Sequence, residues 1–289
     1  MDYLRGNAPA SAVGLYVICR HLSRTGAPVS EGGLQKSLQV LRSSESPQSE
    51  ASAVLETSLN VGRGLGLVVY DEANSTWTID GEITNGLRDD QDHWPWFRGE
   101  LAHRMMRHGL TDIDNGVPDL VLGLTWFLQQ SPLNPLPTVW GAGTEAKIRG
   151  LGFKAVERSE QWLSFQRWAL SLGFARRSDQ PNAKVLIPDS STAIGDQLRY
   201  LPSAGSAREW ITAMHGRIPV AGAKILTDKL PKGSNVWHSL PQSVMFGLLK
   251  LEATGVLELR PSDDARDVLT IGLGGSTRQV GRISVRSPQ

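Results

Sequence analysis

At 289 residues, 40% hydrophobic and 20% charged, the chain can hold two or three domains with their own cores and has the composition of a soluble globular protein. No apolar run approaches the roughly 18–20 residues of a membrane span, and the single cysteine, Cys19, excludes an internal disulfide framework and fits a reducing cytoplasm. The net charge of +1 is divided unevenly, −5 over residues 1–92, −1 over 93–143, +4 over 144–184 and +3 over 185–289, which makes the first third a poor grip for a polyanion.

The opening Met1-Asp-Tyr-Leu-Arg lacks the basic-then-apolar layout of a signal peptide, which again points to a cytoplasmic protein. Residues 9–26 carry apolar side chains at Ala12, Leu15, Ile18, Cys19 and Leu22, the stripe of an amphipathic helix closed by Gly26, with Cys19 read as a buried small hydrophobe. Ser30 can cap a short helix to Leu41, and Ser46-Pro47 suits the start of a third helix, since proline at the first helical position loses no hydrogen bond. That helix stops at Gly66 and runs into Leu67–Tyr70, a polar tip at 71–75 and Thr76–Ile79. Residues 81–95, with Asp89, Asp90 and Asp92, read as a solvated linker.

Trp94 then opens a helix to about His108, and Pro118 an unusually apolar one through Leu120–Leu128, expected at the centre of the middle domain. The proline-rich run 131–137 breaks it. Thr144 can cap a helix to Gly150, and another begins near Ser159 and ends at Gly173. Phe174–Arg177, a tip at 178–182 and Lys184–Ile187 repeat the helix–glycine–hairpin unit. Beyond a helix ending near Tyr200, Ser206 and Glu209 have capping-box spacing. Arg217–Val220 resembles a short first strand, Ala221–Leu230 a short helix, and Ser239 and Pro241 open a last helix ending at Gly255. Val256–Leu259, a tip at 260–266 and Val268–Ile271 give the unit a third time. A helix running through glycine into a two-stranded wing is how a winged helix-turn-helix closes. Any small α+β protein also produces such units, because glycine supplies the left-handed helix cap.

These signals predict a mainly α fold with small β-hairpins (α+β), arranged as tandem winged helices. The expected domains are an N-terminal winged helix at 1–86, a helical middle domain ending in a second winged helix at 87–188, and a C-terminal winged helix with a basic tail at 189–289.

Catalytic signatures are missing from the sequence. Gly141-Ala-Gly143 with Lys147 lacks Walker spacing, no nucleophile elbow occurs, and no cofactor or metal is expected. The six histidines are scattered, and the nearest approach to a cluster is Glu100 and His103 followed by Asp112 and Asp114, which also reads as the wet face of a helix. Nucleic-acid contact has more support. Lys147, Arg149, Lys154, Arg158, Arg167, Arg176, Arg177 and Lys184 fall within one short stretch, with Arg158, Gln161 and Arg167 on the candidate recognition helix and Arg176 and Arg177 on its wing. Arg278, Arg282 and Arg286 extend this to the tail. Against it, Glu157 and Glu160 beside Arg158 fit an ordinary solvated face. Trp140 and Trp237, in loops, are candidates for anchoring a partner protein, while Trp94, Trp96, Trp126, Trp162, Trp168 and Trp210 fall on apolar faces.

The order of parts resembles that of DpdG-like proteins. The likeness rests on the opening helix with Leu65-Gly-Leu-Val-Val, the section from Trp96-Phe-Arg to Leu120–Leu128, Leu186-Ile-Pro-Asp189, and Arg217-Ile-Pro-Val-Ala-Gly222. The resemblance implies an accessory protein of a bacterial system that places 7-deazaguanine derivatives in DNA, with a role in anti-phage defence or restriction and no catalytic residue to carry over. The expected function is a non-enzymatic subunit that binds duplex DNA within a protein complex. The alternative is a scaffold whose winged helices mediate homodimer formation or subunit docking.

Overall fold

A computed structural model describes residues 1–38, 48–88, 93–111, 113, 116–180, 183–232, 234, 240–261 and 268–286. Helix α1 (Ala12–Thr25) starts where the Ser11 hydroxyl accepts the Gly14 amide and ends at Gly26 in the left-handed region, φ 64°. β1 (Val29–Ser30), α2 (Glu31–Ser37) and α3 (Gln48–Gly64) follow, then β2 (Val68–Asp71) and β3 (Thr76–Ile79). Ser30 does cap α2, accepting from Gly33 N, and α2 stops at Ser37. The expected start of α3 at Ser46-Pro47 lies outside the described residues. Cys19 is buried and free, and burial pushes its thiol up to about 12.

A short helix, α4 (Gly81–Gly86), corrects the expected linker over 81–88. The Asp80 carboxylate accepts the Glu82 and Ile83 amides, and Ile83 and Leu87 are buried. Residues 89–92, the remainder of the expected linker's acidic run, lie outside the described set. Helix α5 (Trp94–Thr111) leads to α6 (Asp119–Leu128), which is buried on nearly every side and packs on α5, on a 3-10 turn at Pro219–Ala221 and on three later helices. Where α6 crosses one of those helices at Phe165, a Cβ on Gly123 would meet the ring at 3.1 Å, so any larger residue would require the ring to shift by a few tenths of an ångström.

The middle of the chain continues as β4 (Leu136–Pro137), a 3-10 turn at Trp140–Ala142, α7 (Thr144–Gly150), α8 (Ser159–Ser171), β5 (Ala175–Gln180) and β6 (Ala183–Pro188). Thr144 does not cap α7. Its hydroxyl donates to the Pro137 carbonyl instead, and Gly143 at φ 131° precedes the helix. The last third holds α9 (Ser191–Gln197), β7 (Ala204–Ser206), α10 (Ala207–Arg217), α11 (Lys224–Thr227), α12 (Gln242–Ala253), β8 (Leu257–Arg260), β9 (Leu269–Leu273), β10 (Ser276–Val280) and β11 (Arg282–Val285). The Ser206–Glu209 capping box is formed as expected.

Three sheets repeat one strand order, in which a short early strand and a later strand flank the last: β1-β3-β2, β4-β6-β5 and β7-β11-β8, all antiparallel. The helix before each sheet's second strand ends in one hydrogen-bond pattern. Leu67 N donates to Gly62 O at 2.8 Å, Phe174 N to Ala169 O at 2.9 Å and Val256 N to Leu251 O at 2.8 Å, each across a glycine at φ 66°, 77° or 75°. This is the Schellman closure that the three glycines predicted.

The third unit differs from expectation in two ways. β8 does not pair with the strand that follows it. β9 and β10 form their own hairpin, and β8 pairs with β11, Arg260 opposite Arg282. Residues 217–220 are not the short strand: Pro219–Ala221 is a 3-10 turn, and the edge strand is β7. The helix expected over 221–230 is confined to the four residues of α11. Overall the architecture is mainly α with small antiparallel sheets. Tryptophans 126, 162, 168 and 210 are core residues, with Trp162 stacked on Phe165 at 5.2 Å between ring centroids, while Trp94 and Trp96 are partly buried against the core.

Candidate nucleic-acid interface

The N-terminal segment is fixed first, because it shapes the basic surface. Asp119, buried at the start of α6, accepts the amides of Tyr3, Leu4 and Arg5 at 2.7, 2.9 and 3.1 Å. Burial raises its carboxyl, and the Tyr3 and Leu4 amides pull the other way. Arg5 then reaches the Lys154 carbonyl and the Glu157 carboxylate, and Arg167 on α8 donates to the Ala8 carbonyl at 2.6 Å. Tyr3 packs edge-on to Trp168. The segment before α1 therefore lies along α8.

The exposed side of α8 carries Glu160, Leu163 and Arg167. Gln161 does not extend outward from it: its side-chain oxygen accepts the amides of Glu157 and Arg158 at 2.6 and 3.2 Å and so caps the helix. Arg158 is exposed at the cap position, close enough to Glu160 to lower that carboxyl, after the backbone and Ser159 hydrogen bonds that lower it more.

The basic residues divide by what holds them. Arg149 pairs with Glu145 one turn away, Arg278 with Glu252 on α12, and Arg286 with Glu258. Arg176 on β5 pairs with Asp189 at 2.9 Å, and the same Asp189 oxygen receives Lys250 of α12 at 2.6 Å. Asp189 is 1% exposed. Burial alone would raise its carboxyl, but the Lys250 ammonium and the Ser191 donors outweigh this and hold it below the ordinary carboxylate range. Arg177 is exposed beside Arg176. Lys147, Lys154, Arg158, Lys184 and Arg282 are exposed and, among the described residues, make no ion pair. They are the side chains most available to an incoming anion.

Three other expectations find their place. Trp140 is half-buried, its ring 6.5 Å from that of Trp162, with Val139 exposed before it. Trp237 lies outside the described residues, as do Asp112 and Asp114. Glu100 is held by Arg104 at 2.8 Å and by Arg217 at 3.8 Å. His103 Nδ1 lies 3.2 Å from the Arg217 carbonyl, and burial lowers its basicity. Among the described residues, no group of three or more His, Cys, Asp or Glu side chains could hold a metal ion. Arg104 instead joins the first unit to α5. It donates to Glu100, to the Gly66 carbonyl at 2.6 Å and to Glu82 at 2.9 Å.

Sequence reasoning missed Asp189, Lys250, Arg260 and Asp119. Asp189 had a local signal, since its carboxylate accepts the Ser191 amide as a helix-start residue does. Its cationic partners come from one strand, β5, and one helix distant in sequence, α12, a convergence that no spacing reveals.

α12, the helix before the third junction, is largely covered. α12 buries Ser243, Val244, Met245, Gly247, Leu248 and Leu251, commits Lys250 to Asp189, and takes the Gly272 amide against Met245. By contrast α3 presents an open polar side at Glu56, Asn60 and Arg63.

No helix of the described residues is long and apolar enough to cross a membrane. No curated protein and no solved structure matches the chain. The model of the DpdG-like family matches residues 4–265, and the chain belongs to that family.

Proposed function

We propose that the chain is a DNA-contacting accessory subunit of a DNA-modification system, built from three winged-helix units and working in genome defence. Family membership supports a part in such a system. The winged-helix reading is supported by the recurring order of short strand, helices and two strands with the last strand central. The observation that carries DNA contact is the set of exposed cations Lys147, Lys154 and Arg158, which make no ion pair among the described residues, on α7, the loop after it and the cap position of α8.

Backbone phosphates are the targets this surface suits. α12 has no open side, and α8 is flanked by the N-terminal segment, so neither is presented as a helix free to enter a major groove. Binding of this kind is sequence-independent, strongly salt-dependent and steered by charge. The test is a duplex DNA titration of the full chain against the variant Lys147→Glu, Lys154→Glu, Arg158→Glu. A loss of affinity of about tenfold or more at about 50 mM salt is expected, and unchanged affinity would contradict the reading.

The first unit favours a different role. It carries the acidic part of the chain, and α3 leaves Glu56 and Asn60 exposed beside an exposed Val69 on β2. We assign that face to docking of a protein subunit of the assembly, or of a second copy of the chain, in place of DNA.

A further inference from the structure

The sheet of β7, β11 and β8 has an inner face of Leu257, Leu259 and Ile283, all buried, and an outer face turned to solvent. Strand pairing sets out the outer face row by row. Arg282 stands between Ser206 and Arg260, Ser284 stands between Ala204 and Glu258, and Arg286 donates its amide to Val256 in the next row.

Arg260 and Arg282 are thus directly opposed across two antiparallel strands. Like charges in that position repel, and a sheet selected only for stability would not place them there. Among the described residues, one carboxylate compensates the group: Glu258 receives Arg260 at 2.8 Å and lies 3.7 Å from Arg286, while Arg282 makes no ion pair with a described residue. Glu209, close to β7, is turned to the Ser206 hydroxyl in the capping box of α10. Ser206, Ala204 and Ser284 are small, so the floor between the arginines is open.

We propose that this outer face is a second phosphodiester-binding surface, with Arg260, Arg282 and Arg286 taking backbone phosphates of duplex DNA. The proposal rests on the reading that the chain contacts DNA, and it extends that contact to a sheet face in the last third of the chain. Guanidinium forks suit phosphate oxygens in bidentate pairs. Arg278, though close in sequence, is not part of the surface because it stands on the separate β9–β10 hairpin and pairs with Glu252 on α12.

The experiment compares duplex DNA binding by the full chain, by Arg260→Gln/Arg282→Gln, and by Lys147→Glu/Arg158→Glu, at about 50 and about 200 mM salt. The Arg260/Arg282 variant is expected to bind about tenfold more weakly at the lower salt, with the slope of log affinity against log salt reduced by about 2. Its melting temperature should stay level or rise, since a repulsive pair is removed. Unchanged affinity and slope in this variant, with loss in the Lys147/Arg158 variant, would overturn the sheet surface and leave the DNA reading standing. No binding by the unaltered chain would overturn both. A marked fall in melting temperature would also overturn the proposal, because the pair would then be a structural contact.

Discussion

Asp189 holds two cations from different parts of the fold, Arg176 of β5 and Lys250 of α12, on a single buried oxygen. Removing the charge leaves Lys250 partly buried without its counter-ion, a change that costs on the order of 3 kcal/mol. Asp189→Asn is therefore expected to lower stability by about that amount in denaturant titration. It should also release Arg176, which is mostly exposed, so DNA affinity at low salt should rise where the fold persists. The stabilisation that Asp189 supplies is present above the ordinary aspartate range and is lost as pH falls through its depressed folded value. His215 adds a second acid-sensitive step. Burial depresses its imidazole below the ordinary value, while its Nε2 contact with the Ala221 carbonyl at 3.2 Å acts in the opposite sense. The unfolded chain takes up a proton below about pH 6.5 that the folded site resists, so stability is lost as pH falls from about 6.5 toward the folded value. His215→Gln keeps a donor for Ala221 and should flatten the stability profile between about pH 7 and pH 5. An unchanged slope there would mean that His215 is not the group responsible.

At the level of elements, the three helix–glycine–strand junctions were legible because everything they need is local. A helix, a left-handed glycine and an apolar residue after it produce one closure at Gly66, Gly173 and Gly255. The junctions are not equally tolerant. A Cβ on Gly173 would lie 2.9 Å from Thr192 Cβ and 3.0 Å from the Ala193 amide nitrogen, whereas nothing lies within 4 Å at Gly255. Gly255→Ala should cost about 1 kcal/mol from its positive φ alone, and Gly173→Ala at least about 1 kcal/mol more through overpacking. Equal losses in thermal denaturation would show that the close approach to α9 does not matter. The third hairpin was misread for the opposite reason. Its true partner strand follows another hairpin, so the pairing of Leu257 with Val285 has no local mark. The short helix α4 escaped notice because Gly81 and Gly86 bound it and glycine disfavours helix. Its cap at Asp80 and buried Ile83 decide the matter through tertiary contact.

Across the whole molecule, charge division was readable from the sequence, but the availability of each cation was not. Arg149, Arg176, Arg278 and Arg286 each have a carboxylate, while Lys147, Lys154, Arg158 and Arg282 stand exposed without an ion pair among the described residues. Helix faces also proved less open than their periodicity indicated, since α12 is covered and the segment around Tyr3 runs beside α8. Both facts favour contact with phosphates over base reading. The most direct measurement is the affinity of the full chain for two unrelated DNA duplexes of equal length, followed from about 50 to about 200 mM salt. Expected are similar affinities for both duplexes and a steep linear fall of log affinity with log salt, with a slope of about −3 or steeper, as several neutralised phosphates require. Absence of binding at the lowest salt, or affinity that ignores salt, would contradict DNA contact and leave the docking surfaces as the chain's working parts.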